Sequence, residues 1–212
     1  NGGLVLVVCD DPGVHSSQNE QDTRVFSRFA QVPVLEPSDA QEALDFTRLA
    51  FELSERFDTP VIVRSTTRLC HTRSPVTVGE RCQPPALGFL EDPSKNVMIP
   101  VHARQRHPLL VERETKVRDY LNGADITRWE KGGTDFGVIT AGIAYTYVKE
   151  VLQGASILKL GATNPLPDKV IAEFAASVER VFVVEELEPV LERDIRVMGI
   201  DVAGKAFFPR FG

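Results

Sequence analysis

Cysteine is scarce and oddly counted: Cys9, Cys70 and Cys82 are the three among 212 residues. An odd number with no C-x-x-C spacing argues against a disulfide framework, a zinc site and a complete iron–sulfur site within these residues. A reducing cytoplasm is the simpler home for such a chain. No apolar run approaches the roughly 20 residues that span a bilayer, and no segment has the pattern of a secretory signal, so a membrane is not expected as a partner. Positive charge forms no block. The 24 Lys and Arg are scattered among 30 Asp and Glu, for a net charge of −6, which makes nucleic acid a poor partner. What is present is ordinary for one large or two modest globular domains: 42% apolar and 25% charged residues.

The first element is "LVLVV" at 4–8, running on to Cys9. Its side chains do not alternate, so it reads as a strand buried on both faces. Residues 16–30 read as a helix, with Val25, Phe26 and Phe29 as its apolar side. "VPVLEP" (32–37) is a short strand. "SDAQEALDFTRLAFELSERFD" follows as an amphipathic helix, with Ser38 as N-cap, Gln41 three residues on, and Ala43, Phe46, Ala50, Leu53 and Phe57 along one side. "TPVIVRSTT" (59–67) is the third strand. Six of the 14 prolines then fall between Pro75 and Pro108, and 73–101 reads as an extended arm. A helix is expected from about Pro108 to Asn122, stopped by Gly123, with "RWEKGGT" as a loop.

From 134 the pattern is regular. Strands at "TDFGVITAG", "ASILKLG" and "VFVVEE" alternate with helices at "IAYTYVKEVLQG", "LPDKVIAEFAASVER" and "EPVLERDIRVMG". The last of these carries Leu191, Ile195 and Met198 on one face. "VAGKAFFP" offers a final strand. Such alternation means parallel α/β layers. Burying 4–8 is worth on the order of 10 kcal/mol at roughly 2 kcal/mol per side chain. Three strands and two helices do not suffice to cover that strand. The expected cover is missing upstream sequence or a second copy, and both ends of the chain read as cut from a longer polypeptide.

The loop "CDDPGVHSSQNEQD" (9–22) is more polar than a turn requires. Ligands collect at the carboxyl ends of parallel strands, which is where this loop lies. His15, Ser16 and Ser17 offer a titratable group and small hydroxyls. A helix N-terminus capped by Ser16 or Ser17 explains the same residues without a ligand. Other groups read as structural. Cys9 is a small apolar side chain rather than a nucleophile based on His15. Asp10 and Asp11 form a turn with Pro12 and Gly13 rather than a metal site. Glu185, Glu186 and Glu188 favour a helix N-terminus, and Gly142 serves a strand–helix joint. "HARQRH" (102–107) is a solvated helix entry, and Trp129 packs.

"NGGLVLVVCDDPGVHSSQNEQDTR" resembles the thiamine-dependent 2-oxoacid:ferredoxin oxidoreductases, and most closely the large subunit of the indolepyruvate enzymes. "LEPSDAQEALDFTRLAFELSERFDTPVIVRSTTR" is similar to the second half of that family's pyrimidine-binding domain. "KLGATNPLPDKVIAEFAASVERVFVVEELEPVLERDIR" is similar to its transketolase-C-terminal-like domain. The resemblance implies an α/β internal fragment: 1–72, the back half of the pyrimidine-type domain; 73–133, a Pro-rich linker and helix; and 134–212, the transketolase-like domain. It implies a parent enzyme that decarboxylates an aryl 2-oxoacid, indolepyruvate, with CoA and ferredoxin. Thiamine diphosphate and Mg would be held only partly here, and the iron–sulfur clusters would lie outside the fragment. The family's cofactor-binding Glu lies upstream, so the fragment alone should be inactive. Its partners would be the rest of the parent chain and a smaller subunit, with self-association. The resemblance places the loop near the pocket, and His15, Ser17, Gln18 and Asn19 are the candidates for its wall. A non-catalytic assembly or regulatory α/β module is the alternative.

Overall fold

The computed structural model describes residues 2–81, 88–89 and 91–210; Cys82 and part of the Pro-rich arm lie outside these. In chain order the elements are β1 (Val5–Asp10), α1 (Arg24–Ala30), β2 (Val34–Leu35), α2 (Ala40–Phe57), β3 (Val61–Thr66), the single turn α3 (Thr67–Cys70), α4 (Pro93–Asn96), α5 (Pro100–Asn122), β4 (Arg128–Glu130), β5 (Gly133–Ala141), α6 (Ala144–Val151), β6 (Ala155–Leu160), β7 (Ala162–Asn164), α7 (Asp168–Ala176), β8 (Val181–Val184), α8 (Val190–Val197) and β9 (Val202–Ala203). The α/β class with parallel sheets is as the alternation requires.

Two sheets form. The first runs β1-β3-β2-β7 and the second β4-β6-β5-β8-β9. β1 pairs with β3 in parallel, Val5 opposite Val61 through Asp10 opposite Thr66. β7 pairs antiparallel with β2, so a segment that follows the second sheet's β6 completes the first sheet. Around the second sheet, Ile139, Leu158, Leu160, Ile171, Phe174, Val183, Leu191 and Ile195 form the larger core. Phe46, Ala50, Leu53, Val61, Val63, Val117 and Leu121 form the core of the first. Trp129 packs edge-on against Phe174, with ring centroids 5.5 Å apart.

Several boundaries differ from the sequence reading. The N-cap of α2 is Asp39, not Ser38: its carboxylate accepts from the Glu42 amide at 2.8 Å, and Glu42 reaches back to the Ser38 amide at 2.8 Å. The box is therefore Asp-x-x-Glu, and Gln41 instead bonds the Thr77 amide at 2.7 Å. α5 begins at Pro100, with Pro108 inside it. "RWE" is a strand: Trp129 lies opposite Leu158 on β6.

α1 is the sharpest correction. It starts at Arg24, and its buried residues are Arg24 and Ser27. Phe29 is 92% exposed, Phe26 68% and Val25 56%. The helix turns its polar side inward. β1 behaves similarly: it is an edge strand whose Leu4, Leu6 and Val7 are exposed. The apolar run at 4–8 is thus uncovered by the described residues, as its excess over the available helices implies.

The two units are tied by charge as well as by β2–β7. Lys159, with 0% exposure, donates to Glu42 at 2.6 Å and lies 4.7 Å from the Phe46 ring centroid. Arg128 donates to the other Glu42 oxygen at 2.5 Å. Changing Glu42 to Ala strands a buried ammonium, so a loss of about 3–5 kcal/mol is expected in a urea titration of the intact polypeptide. Lys159→Met leaves Glu42 paired with Arg128 and should cost less than half as much. Equal losses would contradict the arrangement.

Candidate functional site

Carboxyl ends of strands from both sheets converge on a set of buried charges. Arg64 interrupts the apolar run of β3 and is 2% exposed. Its Nε donates to Asp10 at 2.6 Å, its Nη1 to Glu36 at 3.0 Å, and its Nη2 lies 3.6 Å from Asp22. Arg24 donates from Nε to Asp22 at 2.8 Å and from Nη1 to Glu185 at 2.7 Å. Glu185 also accepts the amides of Val190, Leu191 and Glu192 at 2.9–3.1 Å, so it caps α8 from within the second unit. Glu36 accepts the Thr163 hydroxyl at 2.7 Å. Gly142 takes φ +57°, and a Cβ there would sit 3.3 Å from a Glu36 oxygen, so this joint needs glycine for conformation and room. Two guanidinium groups thus serve four carboxylates: Asp10, Asp22, Glu36 and Glu185.

This network fastens both ends of the polar loop. Asp10 accepts the amide of Thr23 at 2.8 Å and also its hydroxyl. Asp11 accepts the amides of Ser16 and Ser17 at 2.7 Å each and the Thr67 hydroxyl at 2.5 Å. The Thr67 bond, then the two amides, hold the Asp11 carboxyl well below the usual carboxylate range. Pro12 and Gly13 form the expected turn, closed by the Val14 amide on the Asp11 carbonyl at 3.1 Å with Gly13 at φ +86°. The Gly13 amide donates to Glu20 at 2.7 Å. Ser16 and Ser17 therefore cap no helix; the backbone they bring to Asp11 belongs to the loop.

Burial opposes ionisation of Asp22, but the hydrogen bonds and charge of Arg24, with the charge of Arg64, win and hold it below its ordinary value. Glu42 is lowered too: burial opposes, and Lys159 with Ser38 outweighs it. A depressed folded pKa contributes stability that is complete above the unfolded value and is lost as pH falls through the folded one. Burial pushes the Glu185 carboxyl the other way, so acid relieves its cost. Since the depressed groups are the more numerous, melting temperature is expected to hold between about pH 7 and 5 and to fall below about pH 4. A flat profile down to about pH 3, followed by circular dichroism, would contradict this.

Beside the carboxyl end of β1 lies a cleft of about 480 Å³, lined by Val8, Cys9, Asp10, Asn19, Glu20, Gln21, Asp22, Thr23 and Phe26. Of the residues singled out from the sequence, Asn19 lines it. His15, Ser17 and Gln18 stand farther along the same loop, outside the lining; His15 and Gln18 are exposed and Ser17 is half-buried. Cys9 is exposed on the cleft wall, not buried as an apolar filler, because β1 is an edge. Missed from the sequence were Arg24 and Arg64. The signal for Arg64 was a lone charge inside "VIVRSTT".

The cleft pairs an apolar side (Val8, Phe26) with the amides of Asn19 and Gln21. That suits a flat heterocycle with a polar edge. Among the described residues no Lys, Arg or His lines it, and no group of three His, Cys, Asp or Glu side chains is placed to hold a metal ion. A diphosphate and its cation do not fit these residues.

A family model described as pyruvate flavodoxin/ferredoxin oxidoreductase, thiamine diphosphate-binding, matches residues 9–122, from the end of β1 to the end of α5. The chain belongs to this family. Among its relatives is the indolepyruvate oxidoreductase subunit IorA of Thermococcus kodakarensis, 43% identical over 228 residues, which covers 99% of this chain and 35% of the relative. The IorA subunit of Archaeoglobus fulgidus is 41% identical over 211 residues, covering 96% and 34%. The chain thus spans about a third of the length of the curated relatives it matches. In fold it is similar to a 2-oxoglutarate:ferredoxin oxidoreductase from Magnetococcus marinus, with a TM-score of 0.69, 18% identity, and coverage of 95% of this chain and 45% of that one. A split-gene transketolase gives a TM-score of 0.52 at 16% identity, covering 94% and 56%. No helix among the described residues is long and apolar enough to cross a membrane.

Proposed function

We propose that this chain supplies one wall of the thiamine diphosphate site in a cytoplasmic oxidoreductase that oxidatively decarboxylates an aryl 2-oxoacid, indolepyruvate, with CoA and ferredoxin. The observation that carries the proposal is the cleft at the end of β1, which lies within the family-matched segment and has one apolar and one amide side. Relatives named for indolepyruvate at 41–43% identity support the substrate class. When bound, the cofactor would supply the nucleophilic carbon and the electron sink that oxidative decarboxylation requires.

The chain's own residues bind and orient. Phe26 and Val8 exclude water from the ring, Asn19 and Gln21 offer hydrogen bonds to its edge, and the Asp10–Thr23 and Asp10–Arg64 bonds fix the loop that carries them. In this reading Ser17 and Gln18, farther along the loop, extend the wall toward the substrate, and His15 holds or donates a proton near the substrate carbonyl or carboxylate. The diphosphate, Mg and iron–sulfur clusters belong to the remainder of the polypeptide, which also covers β1 and α1, and a smaller subunit and a second copy complete the assembly. The residues 1–212 alone should show no turnover.

Calorimetric titration of the intact polypeptide tests the wall. Asn19→Ala should weaken thiamine diphosphate by roughly tenfold, the worth of one hydrogen bond to a buried partner. An unchanged Kd would remove Asn19 from the site. His15→Ala should lower kcat by about a hundredfold, the low end for a proton-transferring group, with cofactor affinity unchanged. Unchanged kcat and KM would take His15 out of the reaction.

A further inference from the structure

Cys9 and Cys70, the exposed cysteines among the described residues, lie close together at the edge of the first sheet. Cys9 lies opposite Ser65 in the β1–β3 ladder, so both side chains share one face of the sheet. Immediately after β3 the chain makes the single turn of α3, which packs on β1 and β3 and ends at Cys70. Cys70 Sγ lies 3.2 Å from the Oγ of Ser65, the residue directly opposite Cys9, so the two thiols flank one serine on the same face. Both thiols are free and exposed. A lone surface cysteine carries no such implication; two that flank one serine on the same face of a sheet edge do, because a short approach brings them to a bond of about 2.05 Å.

We infer that Cys9 and Cys70 are a reversible oxidation site, in which a peroxide converts the two thiols into a disulfide that fastens the carboxyl end of β1 to α3. Burial, then Cys70 and Asp10, keep the Cys9 proton on, so Cys70 is the group that attacks first. The Cys70 thiolate attacks one peroxide oxygen, the O–O bond breaks, and the departing hydroxide takes up a proton as water, leaving a sulfenic acid on Cys70. The Cys9 sulfur then attacks the Cys70 sulfur; the S–O bond breaks, the S–S bond forms, and the hydroxide leaves as water with the Cys9 proton. Two electrons from two thiols reduce one peroxide to two waters. A dithiol reverses the bond by exchange. Because Cys9 lines the cleft beside β1, oxidation changes one wall of that cleft; the site itself does not depend on what the cleft binds.

The test is a titration of the reduced, intact polypeptide with a few equivalents of hydrogen peroxide, blocking with iodoacetamide, and mass spectrometry of the unreduced tryptic digest. The expected product joins the peptide ending at Arg24 to Leu69–Arg73, two hydrogens lighter than their sum, in most molecules, and dithiothreitol restores both thiols. A Cys82→Ser variant should behave identically, and Cys9→Ser should give no linked peptide. In urea the preference should reverse, with Cys70 linked more often to Cys82, its nearer neighbour in the chain. Cys9 and Cys70 remaining fully alkylatable while other thiols oxidise would overturn the inference. So would a folded protein in which Cys70 pairs with Cys82 instead.

Discussion

Replacing Arg64 with Met in the intact polypeptide is expected to cost about 3–5 kcal/mol of stability, a fall of roughly 10 °C in melting temperature. The size follows from what is left behind. Asp10, Glu36 and Asp22 all face the Arg64 guanidinium, and both partners in the Arg64–Asp10 pair are 2% exposed. Met fills the volume but leaves three carboxylates near one another, with Arg24 as the remaining guanidinium that pairs with one of them, Asp22. Asp10 also holds the Thr23 amide, so the polar loop should loosen at its far end. Lysine keeps the charge but loses the planar fork, and should recover only part of the loss. A change under about 1 kcal/mol would mean that the carboxylates are relieved by groups other than Arg64.

The second large effect concerns the apolar side of α1. Phe29→Asp is expected to destabilise the intact polypeptide by at least about 3 kcal/mol, combining the lost burial of an aromatic ring with the desolvation of an unpaired charge. The same substitution on a side chain that faces solvent stays within about 0.5 kcal/mol. Here the ring is 92% exposed among the described residues. The expected loss therefore measures cover contributed by other parts of the working protein. A melting temperature unchanged to within a degree or so would show that Phe29 faces water in that protein as well.

α1 also shows how far the sequence could be read. The spacing of Val25, Phe26 and Phe29 identifies an apolar side, and that side exists. Periodicity says nothing about which body lies against it, and the body behind α1 is a cluster of charges. The strand at 4–8 was legible for the same reason that it is uncovered: a non-alternating run needs two faces buried, and the described residues leave Leu6 and Val7 exposed. Segments with too few residues for a period were lost. β7 has three residues and joins the first sheet only because β2 offers it an edge. Pro108 looked like a first-turn proline, yet α5 runs through it from Pro100. The loop at 9–22 was recognised as more than a turn, but the residues that fix it were not. Arg64 lies 42 residues beyond Asp22 in the chain, and the parallel pairing of β1 with β3 brings its guanidinium to Asp10.

Hydroxyl-radical footprinting of the intact polypeptide, with and without thiamine diphosphate, bears most directly on the idea that these residues are one wall of a site completed elsewhere. Leu6, Val7 and Phe29 should be protected in both states, and Phe26 and Cys9 should gain protection when the cofactor is added. Oxidation of all five at the rates of freely exposed side chains, unchanged by the cofactor, would contradict it.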